Sequence, residues 1–215
     1  MSLPTVGVFT DTYLPTVNGV SYTVALWRDR YVRRGGTQWL VYPDHPDRAA
    51  ADGERPVRSV PLPIYPDFRV APPMLPDDIG ALDLVHVHSP FGMGLAGRRA
   101  ARDVPLVVSY HTPTPAYAAY VPGGATVERA VAALASRYER WFLQQADLVV
   151  FPSAVTRDAS PAVGEEQPPT AVVSNGVDLD RFAPAAPSPT VASAVSAERP
   201  TIGYTGRLGK EKQLD

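Results

Sequence analysis

The stretch "LDLVHVHSPFGMGLAGRRAARDVPLVVSYHT", Leu82 to Thr112, decides the fold class. It opens on an apolar run that ends at His88. It passes through "GLAGRRAAR", which reads as a short helix, and returns to a second apolar run ending in "SYHT". Both runs are continuous rather than alternating, which suits strands buried on both faces.

The same alternation extends in both directions. "TVGVF", Thr5 to Phe9, is a short apolar strand, followed by the loop "TDTYLPTVNG". Val20, Val24, Trp27 and Tyr31 then recur at helical spacing up to the stop at Gly35 and Gly36. "QWLVYP" is the next strand, and "VRSVPLP" a weaker one that its prolines push to an edge. Beyond Thr112, residues 126–145 form a helix with Val127, Val131, Leu134, Tyr138, Trp141 and Phe142 as its apolar stripe. "ADLVVFPS" and "TAVVSNGVD" are two more strands. Strands alternating with helices predict a Rossmann-like α/β domain, a parallel sheet with helices on both faces.

From Ala183 to Pro200 the pattern lapses into "APAAPSPTVASAVSAERP", small and proline-rich like an interdomain linker. "TIGYTG" follows as a strand, then the basic stretch Arg207 to Lys212. A single strand has little to bury against. The expected organisation is therefore an amino-terminal domain over 1–182, a linker over 183–200, and the start of a second domain over 201–215. The alternative is that the last strand pairs back onto the main sheet.

Bulk composition narrows the function classes. The chain has 215 residues, 45% of them hydrophobic, enough for one well-buried domain. A formal net charge of -2 gives no global field for nucleic acid. With no cysteine, disulfide and thiol chemistry are excluded. No segment reads as a signal peptide or as the roughly twenty apolar residues that span a bilayer. A cytoplasmic location is expected, with peripheral contact at the inner membrane face left open.

Candidate site residues gather where parallel strands end, since ligands of open α/β sheets bind outside the carboxyl edge. Asn18 can cap the first helix, and Gly19 lets backbone N–H groups approach an anion. Asn-Gly also reads as an ordinary turn. His86 and His88 share one side of a strand. His88 reaches the strand end, and His111 ends the next strand, which suggests a shared pocket. His86 is the candidate for bracing the sheet. Asp11 is the only acid well placed beside the histidines, so no metal site is expected. "GMGLAG", Gly92 to Gly97, matches G-x-G-x-x-G but lacks the tight turn and the later acid of a dinucleotide site. Close packing of helix on sheet explains it better, and a nicotinamide enzyme is a weak alternative. Ser89, His111 and Asp11 can be drawn as a triad, but no G-x-S-x-G elbow surrounds Ser89. Arg207 offers a planar fork for phosphate oxygens and Lys212 a point charge.

Six segments occur in order: "FTDTYLPTVNGVSYTV", "VHVHSPFGMGLAG", "VSYHTPTPAY", "ADLVVFPS", "SNGVDLDRF" and "YTGRLGKEKQLD". Together they resemble the family-four glycosyltransferases of the two-domain GT-B fold. "HSPF" with "YHTPTPAYAAYVP" looks most like diacylglycerol glucosyltransferases and related lipid or mannosyl transferases. The resemblance implies a retaining transfer of sugar from a nucleotide sugar such as UDP-glucose or GDP-mannose, without a bound metal. It implies that Asn18, Gly19, Arg207 and Lys212 contact the donor, and that His111 lies by the donor sugar at the reacting centre. Tyr13, His88 and Tyr117 are the expected acceptor-side residues, with a glycerolipid as the favoured acceptor. Residues 201–215 correspond to the first strand of the donor domain. The expectation is that the rest of that domain is missing or separately encoded, and that this chain alone is inactive. The non-enzymatic alternative is a stand-alone binding domain.

Overall fold

The computed structural model describes residues 2–63, 65–115, 118, 121–160 and 168–177, with Leu179, Phe182 and Tyr204. Its contacts divide the chain into two units, Met1–Gly176 and Val177–Asp215. The proposed linker 183–200 lies outside the described residues, as do Tyr117, Arg207 and Lys212. Of 201–215 only Tyr204 is described.

The first unit is built on a seven-stranded parallel sheet in the order β3-β2-β1-β6-β7-β8-β9. The central strands are β1 (Val6–Phe9), β6 (Leu84–Val87), β7 (Leu106–Ser109) and β8 (Leu148–Phe151). β2 (Gln38–Pro43) and β3 (Glu54–Val57) extend one side, and β9 (Thr170–Val172) the other. The order runs outward from β1 to β3, then jumps to β6 on the other side of β1. The carboxyl ends of β1 and β6 therefore meet at a topological switch point, where open α/β sheets bind ligands. Phe9 pairs with Val87 there, so Asp11 and the residues after Val87 emerge side by side.

Apolar runs explain why these strands lie inside. Phe9, Val85, Val87, Val108, Val149 and Phe151 are buried in one continuous core. α2 (Gly92–Ala100) closes that core on one face, and α1 (Gly19–Arg33) packs over a second cluster that includes Val8, Val24, Leu40 and Tyr42. The glycines of "GMGLAG" let α2 approach. A Cβ on Gly94 would stand 2.1 Å from the Ser89 carbonyl oxygen, and one on Gly97 would stand 2.5 Å from the Val87 side chain. The run is a packing device, as the sequence suggested.

Two parts of the sheet differ from the sequence reading. "VRSVPLP" is divided: Val57 closes the parallel edge strand β3, while β4 (Val60–Leu62) pairs antiparallel with β5 (Tyr65–Val70) in a separate hairpin. The prolines signal an edge, but not that the chain leaves the sheet there. α3 (Gly124–Leu143) also departs from its predicted stripe. Leu134 is 69% exposed, and Val127 and Trp141 are exposed as well. The residues it buries are Glu139, Phe142 and Leu143, so its carboxyl-terminal turns make the contact with the core.

Candidate active site

Beyond the carboxyl ends of β1, β6 and β7 lies a recess of about 60 Å³, lined by Asp11, Thr12, His88, Ser89, His111 and Glu139 among others. Asp11 organises one wall. Its Oδ1 accepts from the Met93 backbone N–H at 2.9 Å, and its Oδ2 accepts from the Ser89 hydroxyl at 2.6 Å. The Asp11 backbone N–H in turn donates to Ser89 Oγ at 2.8 Å. A carboxylate from β1 thus caps the amino terminus of α2, where peptide dipoles favour negative charge. Burial pushes the Asp11 carboxyl up from its usual value, against the hydrogen bonds from Met93 and Ser89 that lower it. These bonds also dispose of the triad. The Ser89 hydrogen points to Asp11, and His111 Nε2 shares its hydrogen bond with His88 rather than with Ser89.

The histidines form a second wall. His88 Nδ1 lies 2.9 Å from His111 Nε2, with the two rings nearly parallel at 13°. His86 stands beside His88, ring centres 4.3 Å apart, and its Nε2 lies 2.8 Å from Ser109 Oγ across the β6–β7 pair. That is the bracing role expected of it. Trp27, from α1, meets His86 at 5.8 Å and His88, in a T-shaped contact, at 5.7 Å between ring centres. Burial holds His86 and His111 down to about 4, helped at His86 by the neighbouring His111. Burial, with His86 and His111 alongside, holds His88 well below its usual value. All three imidazoles are therefore neutral at pH 7.

Glu139, only 1% exposed, anchors the segment that carries His111. Tyr110 donates its hydroxyl hydrogen to Oε1 at 2.9 Å, and the Thr114 backbone N–H donates to Oε2. His111 sits between these two tethers. Burial raises the Tyr110 phenol well above its ordinary value, with Glu139 adding to the effect.

The predicted residues fall into three groups. His88 and His111 share the recess. Asn18 caps α1, its Oδ1 accepting from the N–H groups of Val20 and Ser21, while its amide donates to Thr12 Oγ1 at 2.8 Å. Gly19 is exposed beside it, with open space where a Cβ would be. Tyr13 stands apart, 7% exposed, packed on Tyr42 with the Arg48 guanidinium 5.0 Å above its ring. It borders a separate, smaller hollow with Thr12, His45 and Arg69. Two participants escaped the sequence reading. Glu139 lies three and four residues before Phe142 and Leu143, a charge in register with core positions, and that offset was its signal. Trp27 read as one more apolar residue of α1.

An open parallel sheet with polar groups gathered at its switch point defines a Rossmann-like α/β protein with a ligand edge. The comparisons narrow this further. The sequence profile of Glycosyltransferase Family 4 matches residues 17–181, and the chain belongs to that family. It is 33% identical over 225 residues to a GDP-mannose-dependent alpha-mannosyltransferase of Mycobacterium tuberculosis (strain CDC 1551 / Oshkosh), covering 98% of this chain and 57% of that protein. It is 27% identical over 188 residues to an alpha-monoglucosyldiacylglycerol synthase of Streptococcus pneumoniae (strain ATCC BAA-255 / R6), covering 82% of this chain and 41% of that one. The chain thus spans about half the length of the curated relatives it matches. Among solved structures, sucrose-phosphate synthase from Thermosynechococcus elongatus superposes with a TM-score of 0.57 at 13% identity, over 85% of this chain and 51% of that chain. The fold is the Rossmann-like α/β fold of GT-B glycosyltransferases.

Proposed function

We propose that this chain is the acceptor-side half of a retaining glycosyltransferase that moves a hexose from a nucleotide sugar, UDP-glucose or GDP-mannose in class, to an acceptor hydroxyl. The observation that carries the reading is the His88–His111 pair, set at the carboxyl edge of the switch-point strands within a family-four domain. His111 is the residue placed against the donor sugar. Its neutral imidazole supplies a hydrogen bond there, not a positive charge for the departing phosphate. The Gly19 loop takes the diphosphate. Gly19 has no positive φ and no packing neighbour to explain the missing side chain, and a bare backbone at the positive end of a helix suits an anion, with the Asn18 side chain already holding the N–H groups of Val20 and Ser21. Arg207 and Lys212 are assigned to the same diphosphate. No step is assigned to a metal ion.

A glycerolipid is the proposed acceptor. The name of the streptococcal relative points to lipid glycosylation, and α3 leaves Leu134 and Trp141 exposed near Arg137 and Arg140. Among the described residues no helix is long and apolar enough to cross a membrane, so contact would be peripheral.

The recess of about 60 Å³ is far below the roughly 300–1,000 Å³ of a typical ligand pocket. A donor-side half must supply the rest. The 215-residue chain incubated with UDP-glucose or GDP-mannose and lipid extract should therefore form no glycolipid. Radiolabelled product appearing in proportion to this chain alone would refute the division of labour. With a donor-side half supplied, Gly19→Leu should lower kcat/KM at least tenfold while shifting the melting temperature little, because the added side chain meets only ligand space. Unchanged kinetics would reduce Asn18-Gly19 to a helix cap.

A further inference from the structure

Two neutral imidazoles facing each other can share only one hydrogen. His88 Nδ1 and His111 Nε2 are 2.9 Å apart, so one nitrogen carries the hydrogen and the other accepts it. Whichever tautomer His88 takes, His111 must take the same one. Its second nitrogen, Nδ1, is then left as either a donor or an acceptor. That choice decides what His111 can hold. A donor suits a phosphate oxygen, and an acceptor suits a sugar hydroxyl.

Three features favour one answer. A free neutral imidazole prefers its hydrogen on Nε2. With that form in both rings, His111 Nε2–H donates to His88 Nδ1 and the contact is satisfied without strain in either tautomer. His86 accommodates the same form, its Nε2 lying 2.8 Å from Ser109 Oγ, a hydroxyl that can accept. His88 is also the ring with least freedom. It is 3% exposed, flanked by His86 and Trp27, and its backbone N–H is bound to the Phe9 carbonyl. The rigid member of the pair sets the state of the more exposed one.

We propose that His88 is a positioning residue that fixes the tautomer of His111, so that His111 presents Nδ1 as a hydrogen-bond acceptor and takes a sugar hydroxyl rather than a phosphate oxygen. The assignment to a sugar rests on the glycosyltransferase reading. The tautomer itself does not. His88 Nδ1 is thus committed to His111.

The test is long-range 1H–15N correlation on the 15N-histidine-labelled chain near pH 7. The chain has four histidines, so single substitutions assign every ring. The wild type should show His111 with a protonated Nε2 and an unprotonated Nδ1. In His88→Asn, whose Oδ1 stands close to the position of the lost Nδ1, that signature should persist. In His88→Leu, which offers no acceptor, the two His111 nitrogen shifts should draw together toward the averaged values of a free neutral imidazole, in which Nε2–H predominates without being exclusive. An Nδ1–H form or an averaged signal in the wild type overturns the proposal, as does an unaltered His111 in a folded His88→Leu. Should His88→Leu not fold, the wild-type and His88→Asn spectra decide alone. No donor or acceptor is needed, so an intact Nε2–H signature without transferase activity would count against the functional reading only.

Discussion

His111→Ala should lower kcat by roughly a hundredfold or more in the enzyme assembled with its donor-side half, with a much smaller change in acceptor KM. A hydrogen bond that strengthens as the transition state forms is commonly worth about 2–4 kcal/mol. The substitution also strips His88 of its partner. An unpaired buried ring nitrogen costs about 1–3 kcal/mol, so a fall of several degrees in melting temperature is expected too. The two effects separate when kcat is expressed per folded molecule. If melting falls but turnover per folded molecule stays intact, His111 braces the sheet edge and the donor contact lies elsewhere. His86→Leu makes the contrasting case. It breaks the link to Ser109 between β6 and β7, yet His86 does not line the recess. It should cost stability and leave turnover per folded molecule near wild type.

Legibility in the sequence followed the range of the interactions. Continuous apolar runs marked β1, β2, β6, β7 and β8, because burial on both faces leaves no choice of residue, and a similar run marked β9 although that edge strand is largely exposed. Asn18 as a helix cap was equally local, being a contact within three residues. The pairing of His88 with His111 followed from two strand ends being adjacent, which the alternation of elements implied. What could not be read depends on contacts across the chain. Asp11 reads as an acid near histidines, and it does share their recess, but its hydrogen bonds go elsewhere. Its partners Ser89 and Met93 are 78 and 82 residues away, and they make it a cap for α2. Glu139 was hidden inside a predicted apolar stripe, since nothing near it in sequence shows that Tyr110 and Thr114 wait across the recess. The stripe on α3 misled for the same reason. Periodicity says that a helix has an apolar face, not what covers it.

Acidification from pH 7 to pH 5 should destabilise this chain steeply, and the histidine cluster should account for most of the loss. The sign follows from the folded values lying below the unfolded one. Between about 4 and 6.5 the unfolded chain binds protons that the folded chain refuses, so stability is present above 6.5 and is lost as pH falls toward 4. A fully dry histidine moved from 6.5 to about 4 loses about 2 kcal/mol of stabilisation between pH 7 and pH 5. His88 acts in the same direction, and the partial exposure of His86 and His111 reduces their share. Asp11 opposes them. Burial raises its folded value above 3.8, so its contribution is present below 3.8 and is lost as pH rises through the folded value, the sense opposite to that of the histidines. Glu54 does not interfere. Its burial is outweighed by hydrogen bonds from Ala51, Tyr42 and Arg48, so it titrates below 4.5, under this window. Chemical denaturation at half-unit steps from pH 7 to pH 5 gives the slope directly, about 1.4 kcal/mol per pH unit for each proton taken up on unfolding. The expected slope near pH 5.5 exceeds that of one proton. A flat profile, with His86, His88 and His111 titrating near 6.5 by NMR, would mean that the cluster is open to water and that His111 carries charge at neutral pH, which would return phosphate to the list of groups it can hold.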